Sequence, residues 1–401
     1  MAVGVEGAAM GTLAEDPGTV KFIYWDNLTY PPSSPLEPER WDARAAMDLY
    51  DSYLAHAVEA ERLGFAGVSM PEHFVPSSPC PSPNLMMAAL AARTSTIRII
   101  SGANVPLHHV PMELAAEFAM LDVLSHGRIE AGLGRHGDLA AHARAIDIMA
   151  GLLYNPEYTL DLPDVARPVG ANPIFTAIPG DRGDSITVTL CPRPLQRRLP
   201  FWLAASSEDS LTAAAERGHG LLTGLDPRGS GAAATVGELV QRMRRYVETG
   251  QRSGHDLSFA TIAINCHLVI ADTDAEAVAI HRNGLRHHFG GAVGMFERIV
   301  GGFEPGQSPL DNPFIKASLT KPDEDYLTNP FMFVGTAATV RAKLDALLEA
   351  GFSRFITVAG GVGVQHDIGW ASARALATDV APDLFGAAAA AQASAAAGAS
   401  V

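Results

Sequence analysis

Eight short apolar, β-rich runs, each followed by a longer helical pattern, constrain this chain more than any other feature of it. The runs lie at about 21–26, 67–70, 97–102, 129–132, 201–205, 220–223, 261–270 and 354–359. Helical patterns lie at about 47–63, 84–93, 111–124, 142–153, 207–217, 235–253, from 274, at 336–350 and at 370–378. Strands separated by helices predict parallel β/α units with right-handed crossovers. Eight such units close into a barrel. The first run lacks the Gly-x-Gly-x-x-Gly turn of an open dinucleotide-binding sheet. The expected fold is therefore an α/β (β/α)8 TIM barrel over 20–386. Two stretches rich in Pro and Gly, about 155–199 after strand four and 289–332 after strand seven, read as insertions and as candidates for a lid. Gly64 is expected to end the first helix and Asn84 to cap the second.

Composition narrows the function. The 401 residues carry a formal net charge of −15. That opposes a nucleic-acid partner, which needs a basic face, and an anionic membrane surface. No apolar run can span a bilayer, and no secretory pattern opens the chain, so a cytoplasmic protein is expected. Cys80, Cys191 and Cys266 are far apart in sequence, which predicts buried thiols and neither a disulfide framework nor a thiolate metal site. The ends, 1–19 and 387–401, are rich in Gly and Ala and read as disordered.

A β/α barrel builds its site where the strands end. That rule selects Glu72 and His73 after strand two, Ala103 and Asn104 after strand three, Arg135 after strand four, and Ser206, Ser207 and Ser210 after strand five. Glu72-His73 can supply acid/base chemistry near neutral pH, or His73 can serve as a structural hydrogen-bonder. The serines open a helix directly after a strand, which suits either a bound phosphate or a plain N-cap. Arg135 leaves a Gly-rich exit, and Arg144, at the start of the next helix, could join it on an anion. The pairs His108-His109 and His287-His288 lack metal-ligand spacing and read as loop histidines, so no metal site is expected. Trp25, Tyr30, Trp41 and Phe74 either wall an apolar pocket or serve as packing.

At these residues the chain resembles the bacterial luciferase-like flavin-dependent monooxygenase superfamily. The resemblance covers about 20–380 and rests on four segments in order: "AERLGFAGVSMPEHF", "PMELAAEFAMLDVLSHGRIEAGLGRHG", "CPRPLQRRLPFWLAASSEDSLTAAAERG" and "GTAATVRAKLDALLEAGFSRFIT". It implies a reduced flavin, usually FMN, lent by a separate flavin reductase, with O2 and a small organic molecule as substrates. By position, Arg135, Arg144, Ser207 and Ser210 would contact the flavin phosphate. Ala103 and Asn104 would lie against the ring, where the family often has a non-prolyl cis peptide. His73 matches the family's acid/base histidine, with Glu72 beside it, and a homodimer is the family expectation. Three other readings remain open: a deazaflavin-dependent hydride-transfer enzyme of the same superfamily, a non-catalytic flavin-binding barrel, and a flavin-free barrel isomerase using Glu72 and His73.

Overall fold

The computed structural model describes residues 19–31, 41–135, 137–161, 185–205, 207–224, 235–291 and 313–386. Eight parallel strands close into a ring. In chain order they are β1 Lys21–Trp25, β2 Gly67–Met70, β5 Arg98–Ser101, β6 Ile129–Leu133, β9 Phe201–Ala204, β10 Gly220–Gly224, β11 Ile262–Ile270 and β13 Arg354–Ala359. β10 pairs with β11 and β13 with β1, which completes the circle. The expected (β/α)8 barrel is the fold.

The helices start and stop where local chemistry requires. Asp42 caps α1 (Ala43–Leu63) by accepting from the Arg44 N–H, and Gly64, at φ 93°, ends it. The second helix, α2 (Pro83–Ala91), is preceded by Ser82, not by Asn84. Asn84 lies inside it and donates to Glu117 at 2.6 Å. Pro83 explains the shift, because its fixed φ suits the first helical turn. α3 (Pro111–Leu124), α4 (Leu139–Tyr154) and α5 (Glu208–Glu216) follow β5, β6 and β9.

Both insertions contain structure. In the first, the run Ser185–Leu190 reads from sequence as a possible short strand, and β8 (Ser185–Val188) lies there, in an antiparallel hairpin with β7 (Tyr158–Asp161). In the second, α7 (Asp274–Gly291) continues to the edge of the described residues, so His287 and His288 are helical rather than in a loop. Two short helices follow at Pro313–Leu319 and Asp323–Thr328. Then β12 (Met332–Gly335) pairs with the C-terminal half of β11, outside the ring. β7, the two short helices and β12 were not expected, because they lie in or beside stretches rich in Pro and Gly that interrupt the β/α pattern. The expected disordered ends lie almost wholly outside the described residues.

Alternate residues of each barrel strand face inward. At the base, the buried Glu130 carboxylate accepts from Arg98 Nε at 2.8 Å and from Trp202 Nε1 at 2.6 Å. Ile23, Ile100, Ala263, Ile356 and Val358 pack above it. The interior is therefore filled, not open, and its base is plugged by a satisfied buried charge.

The segment Leu121–Arg128 works at this same end. Buried Arg128 donates to the carbonyls of Ala91, Thr94, Ile97 and Ser125 at 2.8–3.0 Å. Asp122 accepts from the backbone N–H and side-chain amide of Gln196. These residues, part of the second segment that carries the family resemblance, tie loops below the barrel, away from the strand exits. Cys80 and Cys266 are buried as expected, whereas Cys191 is exposed.

Candidate active site

Three neighbouring strand exits form the acid/base half of the site. Glu72 follows β2, and its side chain is fully shielded from solvent. Its two oxygens accept from His108 Nδ1 at 2.8 Å, His109 Nε2 at 2.7 Å, Asn104 Nδ2 at 3.1 Å and the Val105 N–H at 3.2 Å. Burial alone would raise its carboxyl pKa, but the hydrogen bonds from His109 and His108 hold it below the usual range. The bond to Glu72 in turn raises the His109 imidazole, against the effect of burial. His108 and His109 are thus not spectator loop residues. They complete a charge cluster with Glu72, which spacing along the sequence could not show because they come from a different strand exit.

His73 begins a small hairpin, β3 (His73–Val75) with β4 (Ser78–Cys80). Its Nδ1 lies 2.8 Å from Ser78 Oγ. The single hydroxyl proton of Ser78 goes to the Asn27 carbonyl. His73 Nδ1 must therefore be the donor, which leaves Nε2 as the lone-pair nitrogen. Burial pushes its pKa down to about 4, with Glu72 pulling the other way. At neutral pH His73 is an uncharged proton acceptor.

The Gly102–Ala103 peptide bond is cis, one residue before the place the resemblance indicates. Trp25 Nε1 donates to the Gly102 carbonyl at 2.6 Å. A Cβ on Gly102 would lie 2.0 Å from Ser69 Oγ, so only glycine fits against these two side chains. Asn104 then bonds along β6, its N–H to the Gly132 carbonyl and its carbonyl to the Gly134 N–H. Ala103 and Asn104 are thereby held across the barrel mouth. Asn265 and His267 alternate with the outward-facing Ile264 and Cys266 and so face inward from β11. The side-chain oxygens of Asn104 and Asn265 are buried and have no hydrogen-bond partner. The sequence analysis missed Asn265 and His267; the signal was a polar inward position inside an apolar strand.

The second half of the site lies at the exits of β6 and β9. Arg135 donates to Ser207 Oγ at 3.4 Å. Arg135, Leu139, His142, Ala205, Ser210 and Arg217 line a pocket there. Ser207 and Ser210 form a reciprocal capping box on α5, so the cap reading of these serines holds as local structure. Ser207→Ala should cost about 1 kcal/mol of unfolding free energy in denaturant titration without any ligand. Arg144 does not join this group. It lies on α4 and reaches Asp161 of the hairpin at 3.2 Å. The insertion supplies a carboxylate that draws it away. Glu208 pairs with Arg242 and Arg245, so its charge is compensated. Ser206 lies outside the described residues. Of the four aromatics, Tyr30 stacks on Trp41 and is buried, whereas Phe74 is exposed and meets His108 edge-on at 5.9 Å.

A shielded carboxylate, a neutral imidazole and a small pocket bearing Arg135 thus lie at the strand ends of a β/α barrel. Comparison with known proteins gives the family. The family model for luciferase-like monooxygenases matches residues 34–354. The chain belongs to the luciferase-like monooxygenase family. It is 25% identical over 257 residues to the oxygenase component of the flavin-dependent trigonelline monooxygenase of Acinetobacter baylyi, covering 62% of this chain and 68% of that protein. The oxygenating constituent of 3,6-diketocamphane monooxygenase from Pseudomonas putida, solved with FMN, superposes with a TM-score of 0.59 at 19% identity, over 91% of this chain and 98% of that one. An F420-dependent secondary alcohol dehydrogenase superposes at 0.62 and 16% identity, over 91% and 99%. Among the described residues no helix is long and apolar enough to cross a membrane.

Proposed function

We propose that this chain is the oxygenase component of a two-component flavin-dependent monooxygenase. It takes reduced FMN from a separate flavin reductase and uses O2 to oxygenate a small organic substrate. The observation that carries this reading is Arg135 set against Ser207 and the start of α5, beside a pocket at the strand ends. A guanidinium, helix N–H groups and a hydroxyl suit a phosphate monoester. Asn104 and Asn265 add unpaired acceptors at the mouth, a fit for the polar edge of a ring system.

In this reading the residues divide the work. Arg135, Ser207 and Ser210 hold the phosphate, and Ala103 and Asn104 flank the ring. Glu72 fixes the Asn104–Val105 backbone. His73 Nε2 accepts a proton close to the reacting atoms. The reduced flavin, when bound, supplies the electrons that activate oxygen. The named A. baylyi relative, an oxygenase component, favours this chemistry over hydride transfer.

Arg135→Ala is expected to weaken FMN binding about 10- to 100-fold, the worth of one or two charged hydrogen bonds, with the melting temperature unchanged. Equal affinity in isothermal titration would remove Arg135 from the phosphate. The function itself is tested by mixing anaerobic protein and reduced FMN with aerated buffer in a stopped-flow spectrometer. A long-lived absorbing species other than oxidised FMN supports the proposal. Immediate oxidation together with tight binding of F420 would show the hydride-transfer enzyme instead. Failure to bind either would leave the flavin-free isomerase.

A further inference from the structure

Outside this site, two stacked histidine rings each carry a buried nitrogen without a hydrogen-bond partner. His366 opens the last helix, α11 (His366–Ala375), and His56 lies on α1. Their rings stack at 4.5 Å between centroids and 21° between planes. Trp370 covers the other face of His56 at 4.7 Å. His366 is 8% exposed, and its Nε2 makes no hydrogen bond; neither does the buried Nδ1 of His56. Asp367 brings a carboxylate from the solvent side. One donor atom from each of His56, His366 and Asp367 lies within 4.8 Å of the others.

We propose that His56, His366 and Asp367 form a binding site for a first-row transition-metal dication of the zinc type. The proposal does not depend on the flavin reading. Two imidazoles and a carboxylate are the borderline-soft donor set that such ions prefer over calcium or magnesium. Donor atoms around tetrahedral zinc sit about 3.4 Å apart, given bonds of about 2.0–2.1 Å. The three groups need close by little more than an ångström, which side-chain torsions can supply.

The strongest support lies behind His366. Its Nδ1 is 2.8 Å from Asp26 Oδ2, and a carboxylate can only accept, so Nδ1 carries the proton and Nε2 is left as the coordinating nitrogen. Asp26 is itself fixed by the Tyr24 hydroxyl at 2.6 Å and the Leu28 N–H at 2.7 Å. A carboxylate orienting a histidine ligand from behind is how protein zinc sites set ring tautomer and direction. The competing state is a metal-free imidazolium, favoured by Asp26 and by the Ser52 carbonyl on the Nε2 side of the ring; a bound ion would have to displace that proton. A bound ion would join α1 to α11 on the outer side of β1. Through His366 it would bear on Asp26, the residue after Trp25, whose indole holds the Gly102 carbonyl.

The test uses the full chain stripped of metal with a chelator, then titrated with zinc chloride and, separately, cobalt chloride. The expected result is one saturable site, cobalt absorption in the visible region, and a rise in melting temperature of about 3 °C at saturating zinc. His56→Phe keeps the ring stack on Trp370 but deletes a donor, and Asp367→Asn weakens a second. Each should reduce zinc affinity at least about tenfold and abolish the thermal shift. The chain has 14 histidines, so zinc binding alone is not decisive. Unchanged affinity in both variants would place the zinc elsewhere and overturn the proposal. So would the absence of any saturable site in the parent chain. Both variants should fold as the parent does, because Phe preserves the stack on His366 and Trp370, Asn is isosteric with Asp367, and neither removes the Asp26–His366 hydrogen bond.

Discussion

Glu72→Leu is expected to lower the unfolding free energy by about 3–5 kcal/mol, the cost of breaking a buried charge cluster by removing one partner. Four donors lose their acceptor at once, and one of them, Asn104 Nδ2, belongs to a fully buried residue. His108 and His109 are partly exposed and can turn outward, which keeps the figure from being larger. Glu72→Gln separates stability from position. It retains one accepting oxygen and should cost about 1–3 kcal/mol. If the Asn104–Val105 backbone moves by an ångström, turnover should still fall about 100-fold. Under the proposed function FMN affinity rests mainly on Arg135 and should change little. Denaturant titration and stopped-flow oxidation of reduced FMN, run on both variants, check this. Full turnover in Glu72→Gln would reduce the cluster to scaffolding.

The second large effect is loss of stability in mild acid. His73 and His267 are pushed down to about 4, and His219 and His288 to about 3, in each case first by burial. In the unfolded chain each titrates near 6.5. A folded pKa below the unfolded one means stability that is whole above about pH 6.5 and is lost as the pH falls toward 4. At pH 6.5 each unfolded imidazole is half protonated, so the four take up about two protons on unfolding, and nearly four by pH 5. That gives a slope of about 2.7 kcal/mol per pH unit at pH 6.5, steepening to about 5 near pH 5. The Glu72–His109 pair acts the other way. Its lowered carboxyl and raised imidazole contribute most between about pH 4.5 and 6.5, and offset part of the loss. Urea titrations at pH 7, 6 and 5 measure the slope. His219→Phe keeps the contact with Phe201 and removes one titrating group far from Glu72. It should reduce the slope by about 0.7 kcal/mol per pH unit at pH 6.5 and by about 1.4 near pH 5. A flat profile in the parent chain would mean that these histidines are hydrated in solution.

The barrel was legible because short apolar strands recur between helices that carry ordinary caps. Gly64 and Ser207 sit where the sequence placed them. Apart from the run at Ser185–Leu190, the hairpin strands and β12 were not legible, because they fall in or beside Pro-rich stretches outside the β/α alternation. In the candidate site, positions next to a strand end were readable one at a time. Glu72, His73, Asn104 and Arg135 all lie at the mouth. What could not be read were pairings between distant exits. His108 and His109 looked like loop residues until Glu72 was placed opposite them, 36 and 37 positions away. Arg144 looked like a phosphate ligand until the hairpin brought Asp161 to it. The recognisable Leu121–Arg128 segment marked the family while serving only the base of the barrel.

That base has a consequence for traffic. With Glu130, Arg98 and Trp202 locked together below, the barrel is a cup rather than a tube. Whatever enters does so from one side and must leave the same way. If the flavin is borrowed, lender, substrate and product all use a single doorway, and they must take turns. The order of arrival and departure would then be written into the architecture, before any residue at the rim chooses what to admit.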